Sequence, residues 1–168
     1  MRDWTIRDGS EADAPAIAGI VNGEIRSGLA IWRSAERDEA EIAAMIAERL
    51  AAGHPVLIAE DGETGGVLGW ASYGPFRAGD GYAATVEHSV HIVPEAQGRG
   101  VGSDMVVALI DRARERGVHV LVGGIESSNR ASIAMHRRLG FEEVGRMPEV
   151  GRKFGNWLTL VLMQRIVD

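Results

Sequence analysis

Apolar positions along the chain change period several times, and each change predicts an element. Thr5-Ile6-Arg7 reads as a short first strand. Ser10-Glu11-Ala12-Asp13 follows as a capping-box-like helix start with an acidic residue in the third helical position, and that helix is expected to run to about Val21. After Asp38, Ile42, Met45, Ile46 and Leu50 recur on one helical face, with Gly53 as the stop. The period then shortens. The apolar runs 56–60 and 67–73, joined by Asp61-Gly62-Glu63-Thr64-Gly65-Gly66, read as a hairpin. A loop around Gly74-Pro75-Phe76-Arg77 leads to residues 84–93, the longest strand candidate. Past Pro94 the order becomes glycine turn, helix, strand, helix. Met105, Val106, Leu109, Ile110 and Ala113 form the apolar stripe of the first of these helices, and Gly117 ends it. Residues 118–125 read as a buried strand, 129–139 as a helix stopped by Gly140, and 141–147 and 157–166 as two closing strands. This is a mixed α/β or α+β order without a repeat, and residues 1–168 read as a single domain.

Composition narrows the chemistry. The chain has no cysteine, which excludes a disulfide, a thiolate metal site and a cysteinyl acyl-enzyme. A net charge of -6 argues against a general nucleic-acid binder. Met1-Arg2-Asp3-Trp4 carries no signal core or transit pattern, and no apolar stretch approaches the ~20 residues that span a bilayer, so no membrane partner and a cytoplasmic location are expected.

The turn Gln97-Gly98-Arg99-Gly100-Val101-Gly102-Ser103 lies between a strand and a helix, where backbone N–H groups and the positive end of the helix dipole converge. Glycine at three alternate positions removes Cβ atoms that would hold a phosphate away, and Arg99 can add charge from the side. Such a turn also serves as plain backbone punctuation. It has no Lys-Ser/Thr as in a P-loop, and it does not open a Rossmann unit.

The run 97–102 resembles the pyrophosphate loop of the GNAT N-acetyltransferases, and Asn129 through His136 to Gly140-Phe141 resembles their following cofactor-binding helix. More narrowly, Thr85-Val86-Glu87-His88-Ser89-Val90, Gly124-Ile125-Glu126-Ser127 and the run 150–157 resemble the phosphinothricin and methionine-sulfoximine acetyltransferase branch, also described as L-amino acid N-acyltransferases. The similarity covers nearly the whole chain. It implies a mostly antiparallel mixed sheet with splayed fourth and fifth strands flanked by helices, acetyl-CoA as acetyl donor, and a homodimer. It further implies that the backbone of Val90 and Ile92 contacts the thioester end, that residues 97–103 hold the pyrophosphate, and that Asn129 binds further along the cofactor. His136 stands where many family members carry tyrosine, as it does in the narrower branch.

An amine attacks a thioester only as the free base, so a proton acceptor is required. Glu87 is the candidate, sharing a strand face with Thr85 and Ser89 if no bulge intervenes; an isolated strand glutamate is otherwise a solvated surface carboxylate. His136 is the candidate for giving a proton to the departing thiolate or hydrogen-bonding its sulfur, against a plain packing role. A strand-bulge N–H between Val90 and Ile92 would stabilise developing oxyanion charge. His88 and His91 are offset by three on a strand, which points them to opposite faces, and no metal site is expected.

For the acceptor, Arg77 beside Phe76 can pair bidentately with an α-carboxylate, the alternative being an exposed loop arginine. Lys153 belongs to a second basic, flexible stretch suited to the substrate mouth or to a subunit contact. Trp32, Trp70 and Trp157 read as core or interface, with a contribution of Trp32 to a side-chain pocket left open. The expected acceptor is a small amino acid or analogue such as methionine sulfone, methionine sulfoximine or phosphinothricin. The alternatives are another amine (a protein N-terminus, a polyamine, an aminoglycoside) or a non-catalytic acetyl-CoA sensor, which would need the glycine turn but no base.

Overall fold

The computed structural model describes residues 3–167, so Met1, Arg2 and Asp168 lie outside it, and with them half of the N-terminal stretch read for targeting signals. Seven strands form one sheet in the order β1-β2-β3-β4-β5-β7-β6. In chain order they are β1 (Trp4–Asp8), β2 (Val56–Asp61), β3 (Val67–Pro75), β4 (Thr85–Ile92), β5 (Val120–Glu126), β6 (Glu142–Lys153) and β7 (Asn156–Ile166). Four helices, α1 (Ala14–Ser27), α2 (Glu39–Ala51), α3 (Val101–Glu115) and α4 (Arg130–Arg138), cover it. No helix among the described residues is long and apolar enough to cross a membrane.

The alternation of side chains along β2 shows why the sheet needs helices on both faces. Val56 and Ile58 pack with Ile17, Val21 and Ile25 of α1 and Ile42 and Ile46 of α2. Leu57 and Ala59 pack with Met105, Val106, Leu109 and Ala113 of α3 on the other face. All five residues of the expected α3 stripe are buried. Asp38 caps α2 as its side chain accepts from the Glu41 amide at 2.8 Å, while Glu41 accepts from the Asp38 amide at 3.0 Å. Leu50, assigned to the apolar face of α2, is 42% exposed.

Three boundaries differ from those expected. Helix α1 continues to Ser27 through Gly23, and Lys153, from the far end of the chain, donates to its Glu24 carbonyl and to the Gly28 and Ile31 carbonyls just beyond it. β4 is not the longest strand, since β6 has 12 residues and β7 has 11. The run 151–155, expected as a flexible stretch, is the tip of the β6/β7 hairpin, with Phe154 at φ 50° and Gly155 at φ 78° in the two-residue turn between paired Lys153 and Asn156.

Candidate active site

One feature of the sheet creates the site. β4 and β5 are parallel neighbours and pair only from Thr85↔Val120 to His88↔Gly123; beyond that they separate. β3 still pairs with β4 as far as Gly69↔Ile92 in a regular register. Phe76 and Val93 donate to Thr85 and Leu68 carbonyls at 3.3 and 2.9 Å, so the odd-numbered residues of β4 exchange ladder bonds with β3. The backbone groups of Val90 and Ile92 therefore face the gap left by β5. The oxyanion donor expected from a bulge needs none, because strand splaying opens the same amides. The Gln97 side-chain amide donates to the Ile92 carbonyl at 3.1 Å and closes the end of the gap.

A cavity of about 1030 Å³ runs through this gap, from α1 past Val90 and Ile92 to Gln97, Gly98, Gly100, Gly102 and Ser103 and on to Asn129 in front of α4. Gly98 and Gly100 sit at φ 75° and 100°, a conformation that favours glycine, and nothing lies within 4 Å of where their Cβ atoms would stand. The first N–H groups of the 15-residue α3 have no acceptor within the helix and complete an anion cradle. The Asn129 side chain accepts from the Ser132 amide at 3.1 Å and starts α4. Two turn residues sit otherwise than expected. The Arg99 guanidinium lies 5.6 Å over the Trp4 ring rather than in the cavity wall, and the fully buried Val101 side chain belongs to the core, leaving only its backbone for a ligand.

Glu87 leans toward β5, its Oε1 3.2 Å from where a Cβ on Gly124 would stand; on its other side its strand partner is Gly74. The carboxylate thus stands between two glycines on the sheet face that carries α1 and α2. It is reachable from solvent, but partial burial raises its pKa above the ordinary carboxylate value. Thr85 and Ser89 share that face, as expected in a bulge-free strand.

His136 is 2% exposed and His88 6%, and their Nε2 atoms are 2.9 Å apart. Both line a second cavity of about 100 Å³ at the base of the gap. His136 Nδ1 is 2.8 Å from the Ser132 carbonyl, which can only accept, so the His136 proton sits on Nδ1. The proton between the two rings then belongs to His88 Nε2, and His88 Nδ1 is buried near the Val122 backbone without a well-formed hydrogen bond among the described residues. Burial pushes both rings down, His88 to about 3 with help from the neighbouring His136, so the pair is neutral near pH 7. In this tautomer His136 turns no free N–H into the gap, and giving a proton to a thiolate would require the pair to change its proton arrangement. His91 points to the opposite face, where it stacks on Trp70 at 5.6 Å.

The acceptor residues expected from sequence are not brought together. Arg77 is exposed, stacked 5.2 Å from the Phe76 ring, while Phe76 meets Tyr82 edge-on at 6.0 Å; neither lines the two cavities. Lys153 is 7% exposed and spends its three N–H bonds on the carbonyls of Glu24, Gly28 and Ile31, at 3.2, 2.6 and 2.6 Å. It is a clamp on the segment after α1, not a substrate contact or a mouth residue. Trp32, whose indole donates to Leu29 at 2.7 Å, packs on Gly151, where any larger residue would collide.

Sequence reasoning missed the α1 wall of the large cavity: Gly19, Gly23 and Ser27, with Gly28, Leu29 and Ala30 beyond. Small residues at a spacing of four in one helix were the available signal. It also gave no role to Glu126, which borders both cavities and accepts from Ser127 Oγ at 3.1 Å, from the Ser128 amide at 2.9 Å and from Ser128 Oγ.

An open glycine turn at a helix N-terminus, facing two separated strand edges with a carboxylate on the neighbouring face, suits an enzyme that takes an acyl group from a nucleotide-linked carrier. The chain belongs to the GNAT acetyltransferases: the family described as Acetyltransferase (GNAT) matches residues 20–141. It is 48% identical, over 98% of its length and 95% of the relative's, to the L-methionine sulfoximine/L-methionine sulfone acetyltransferase of Pseudomonas aeruginosa. A phosphinothricin acetyltransferase of Sinorhizobium meliloti, solved in complex with acetyl-CoA, superposes with TM-score 0.95 at 34% identity over 99% of this chain and 89% of that one. A ribosomal-protein-alanine N-acetyltransferase of Brucella melitensis superposes with TM-score 0.93 at 46% identity over 96% and 99%. The protein is an N-acetyltransferase of a family that binds acetyl-CoA, and its open glycine turn and free strand edges fit that donor.

Proposed function

We propose that the protein acetylates the α-amine of a free amino acid or analogue, with methionine sulfone, methionine sulfoximine and phosphinothricin as the acceptor class. The observation that carries this reading is the 48% identity, over nearly the whole chain, to an acetyltransferase for the first two. The amides of residues 98–103 and the side chain of Asn129 would hold acetyl-CoA, and Val90 and Ile92 would bind along its arm. Bound acetyl-CoA supplies the thioester carbonyl that the amine attacks. Glu87, whose pKa burial raises above the ordinary carboxylate value, accepts the amine proton directly or through one water. The His88–His136 pair stays neutral and forms the polar floor of the gap. With no cysteine in the chain, the acetyl group passes straight to the amine in a ternary complex, and this reading needs no metal.

The reading includes a cytoplasmic homodimer. Val144, Met147, Val150, Phe154 and Trp157 on the β6/β7 hairpin are 44–60% exposed, an apolar set suited to a second copy. A second acceptor, a protein N-terminal alanine, is favoured by the Brucella likeness.

The test is an acceptor panel followed by release of coenzyme A thiol: the free sulfone, sulfoximine and phosphinate amino acids, their amides, an alanyl peptide, a polyamine and an aminoglycoside. Free amino-acid analogues should lead, with intersecting initial-velocity lines. A preferred peptide or polyamine would refute the substrate class, and parallel lines would refute direct transfer.

A further inference from the structure

We propose that the Ser132 hydroxyl donates a hydrogen bond to the coenzyme A sulfur as it leaves, a bond that His136 in its tautomer does not offer. This rests on the acetyl-CoA reading above and is independent of the acceptor. Ala30, Val90, His91, Glu126, Asn129 and Ser132 border both cavities and so ring the passage between them. An arm laid from the glycine turn past Ile92 and Val90 brings its sulfur to that passage last, with the acetyl group pointing on into the small cavity. The small cavity is lined on one side by Gly124, the residue toward which the Glu87 carboxylate leans, and on the other by Ser132 and His136 of α4. The reacting carbon thus lies between the base and α4.

The hydrogen bonds around Ser132 leave its hydroxyl proton free. Its amide donates to the Asn129 side chain at 3.1 Å, and its carbonyl accepts from His136 Nδ1 at 2.8 Å. Its Oγ has one polar contact among the described residues, the same His136 Nδ1 at 3.4 Å. That nitrogen carries a proton and cannot accept another, so the half-buried hydroxyl has no acceptor in the protein. The imidazole is itself held, by His88 at 2.9 Å and edge-on against Phe141 at 5.0 Å, so the helix turn bearing Ser132 rests on a fixed partner. Other groups at the passage are committed. Glu126 accepts from Ser127 and Ser128, His91 stacks on Trp70, and the Val90 amide on the strand edge suits the carbonyl oxygen rather than the sulfur. As the amine nitrogen bonds the carbonyl carbon, its proton passes to Glu87. As the C–S bond breaks, its electron pair stays on sulfur, and the thiolate leaves hydrogen-bonded to Ser132 and takes a proton from water on release. Ser132 keeps its own proton throughout, because an alcohol is far less acidic than a thiol.

The experiment titrates coenzyme A bound to the wild type, Ser132→Ala and Ser132→Thr, following thiolate absorbance in the ultraviolet with no acceptor present. The chain has no cysteine, so the thiolate signal belongs to coenzyme A alone. In the wild type the bound thiol should titrate below free coenzyme A. In Ser132→Ala it should titrate roughly one pH unit higher than in the wild type, and Ser132→Thr, which keeps the O–H, should stay near the wild type. Single-turnover transfer to the leading acceptor of the panel should slow roughly 10- to 100-fold in Ser132→Ala, with acetyl-CoA affinity changed less than about threefold, and Ser132→Thr should recover most of the rate. Alanine is the better helix former and both backbone bonds remain, so the thermal midpoint of Ser132→Ala should not fall. Should that variant fail to fold, the wild-type titration decides alone. A wild-type thiol no more acidic than free coenzyme A, or equal acidity in the wild type and Ser132→Ala, overturns the inference and leaves the donor and acceptor readings standing. A wild type that binds no coenzyme A overturns the inference and the donor reading together.

Discussion

Replacing Lys153 by Met keeps the length of the side chain and removes the ammonium that clamps the end of α1. Three donors are lost, to Glu24, Gly28 and Ile31 carbonyls at 3.2, 2.6 and 2.6 Å. A hydrogen bond from a charged group contributes about 1.5–3 kcal/mol net, but burial of the ammonium offsets part of that sum, and the freed carbonyls sit beside a cavity that can admit water. The expected loss is about 2–4 kcal/mol, which for a chain of this size lowers Tm by roughly 5–15 °C. Because Gly28, Leu29 and Ala30 line the large cavity, acetyl-CoA should also bind about 10-fold more weakly, a difference of about 1.4 kcal/mol. Thermal unfolding and calorimetry measure both. A Tm within 2 °C of wild type, with the defect confined to acceptor KM, would show that Lys153 faces substrate and that the clamp is incidental.

Gly100→Val forces a branched side chain into φ 100° at the cap of α3, so acetyl-CoA affinity should fall at least about 10-fold by calorimetry while circular dichroism stays native; unchanged affinity in folded protein would remove the cradle from the site. Nitrogen-15 spectra of the ligand-free protein at pH 6 should show His136 as the neutral Nδ1–H tautomer and His88 as Nε2–H. In His88→Leu, the freed His136 Nε2 should take a proton at higher pH than in wild type, whereas His88→Gln, which can still donate, should keep it neutral. An imidazolium at His136 in the wild type at pH 6 would overturn the tautomer assignment.

What the sequence made legible was local. The glycine turn, the helix opening next to Asn129, the apolar stripe of α3 and the β2/β3 hairpin each depend on neighbours within a few residues, and each stands within a residue or two of where the pattern put it. Lys153 was misread because its partners lie more than 120 positions away, and a basic residue between glycines looks like a mobile tip until the pairing of β6 with β7 is known. Arg77 was read from its place before β4 alone, and its side chain stacks on the Phe76 ring outside both cavities. The splay of β4 from β5 left no mark in the residues of either strand. It came from the family resemblance, and the structure accounts for it by ladder pairing that stops at His88↔Gly123.

The most direct test of the mechanism is the pH–rate profile of Glu87→Gln. Partial burial raises the Glu87 pKa, so its charged form is disfavoured in the fold: the linked stability is fully present below the ordinary carboxylate pKa and is lost as pH rises through the raised folded value. Catalysis runs the other way, since the base works only when ionised, and the acidic limb of wild-type kcat/KM should lie above the ordinary carboxylate range. The variant should lose roughly 100-fold at pH 7, about 2.7 kcal/mol, with acetyl-CoA affinity little changed, and should regain most of that loss above pH 9 as the amine deprotonates unaided. A loss equally large at every pH would contradict the assignment of Glu87 as the base and leave it a positioning role only.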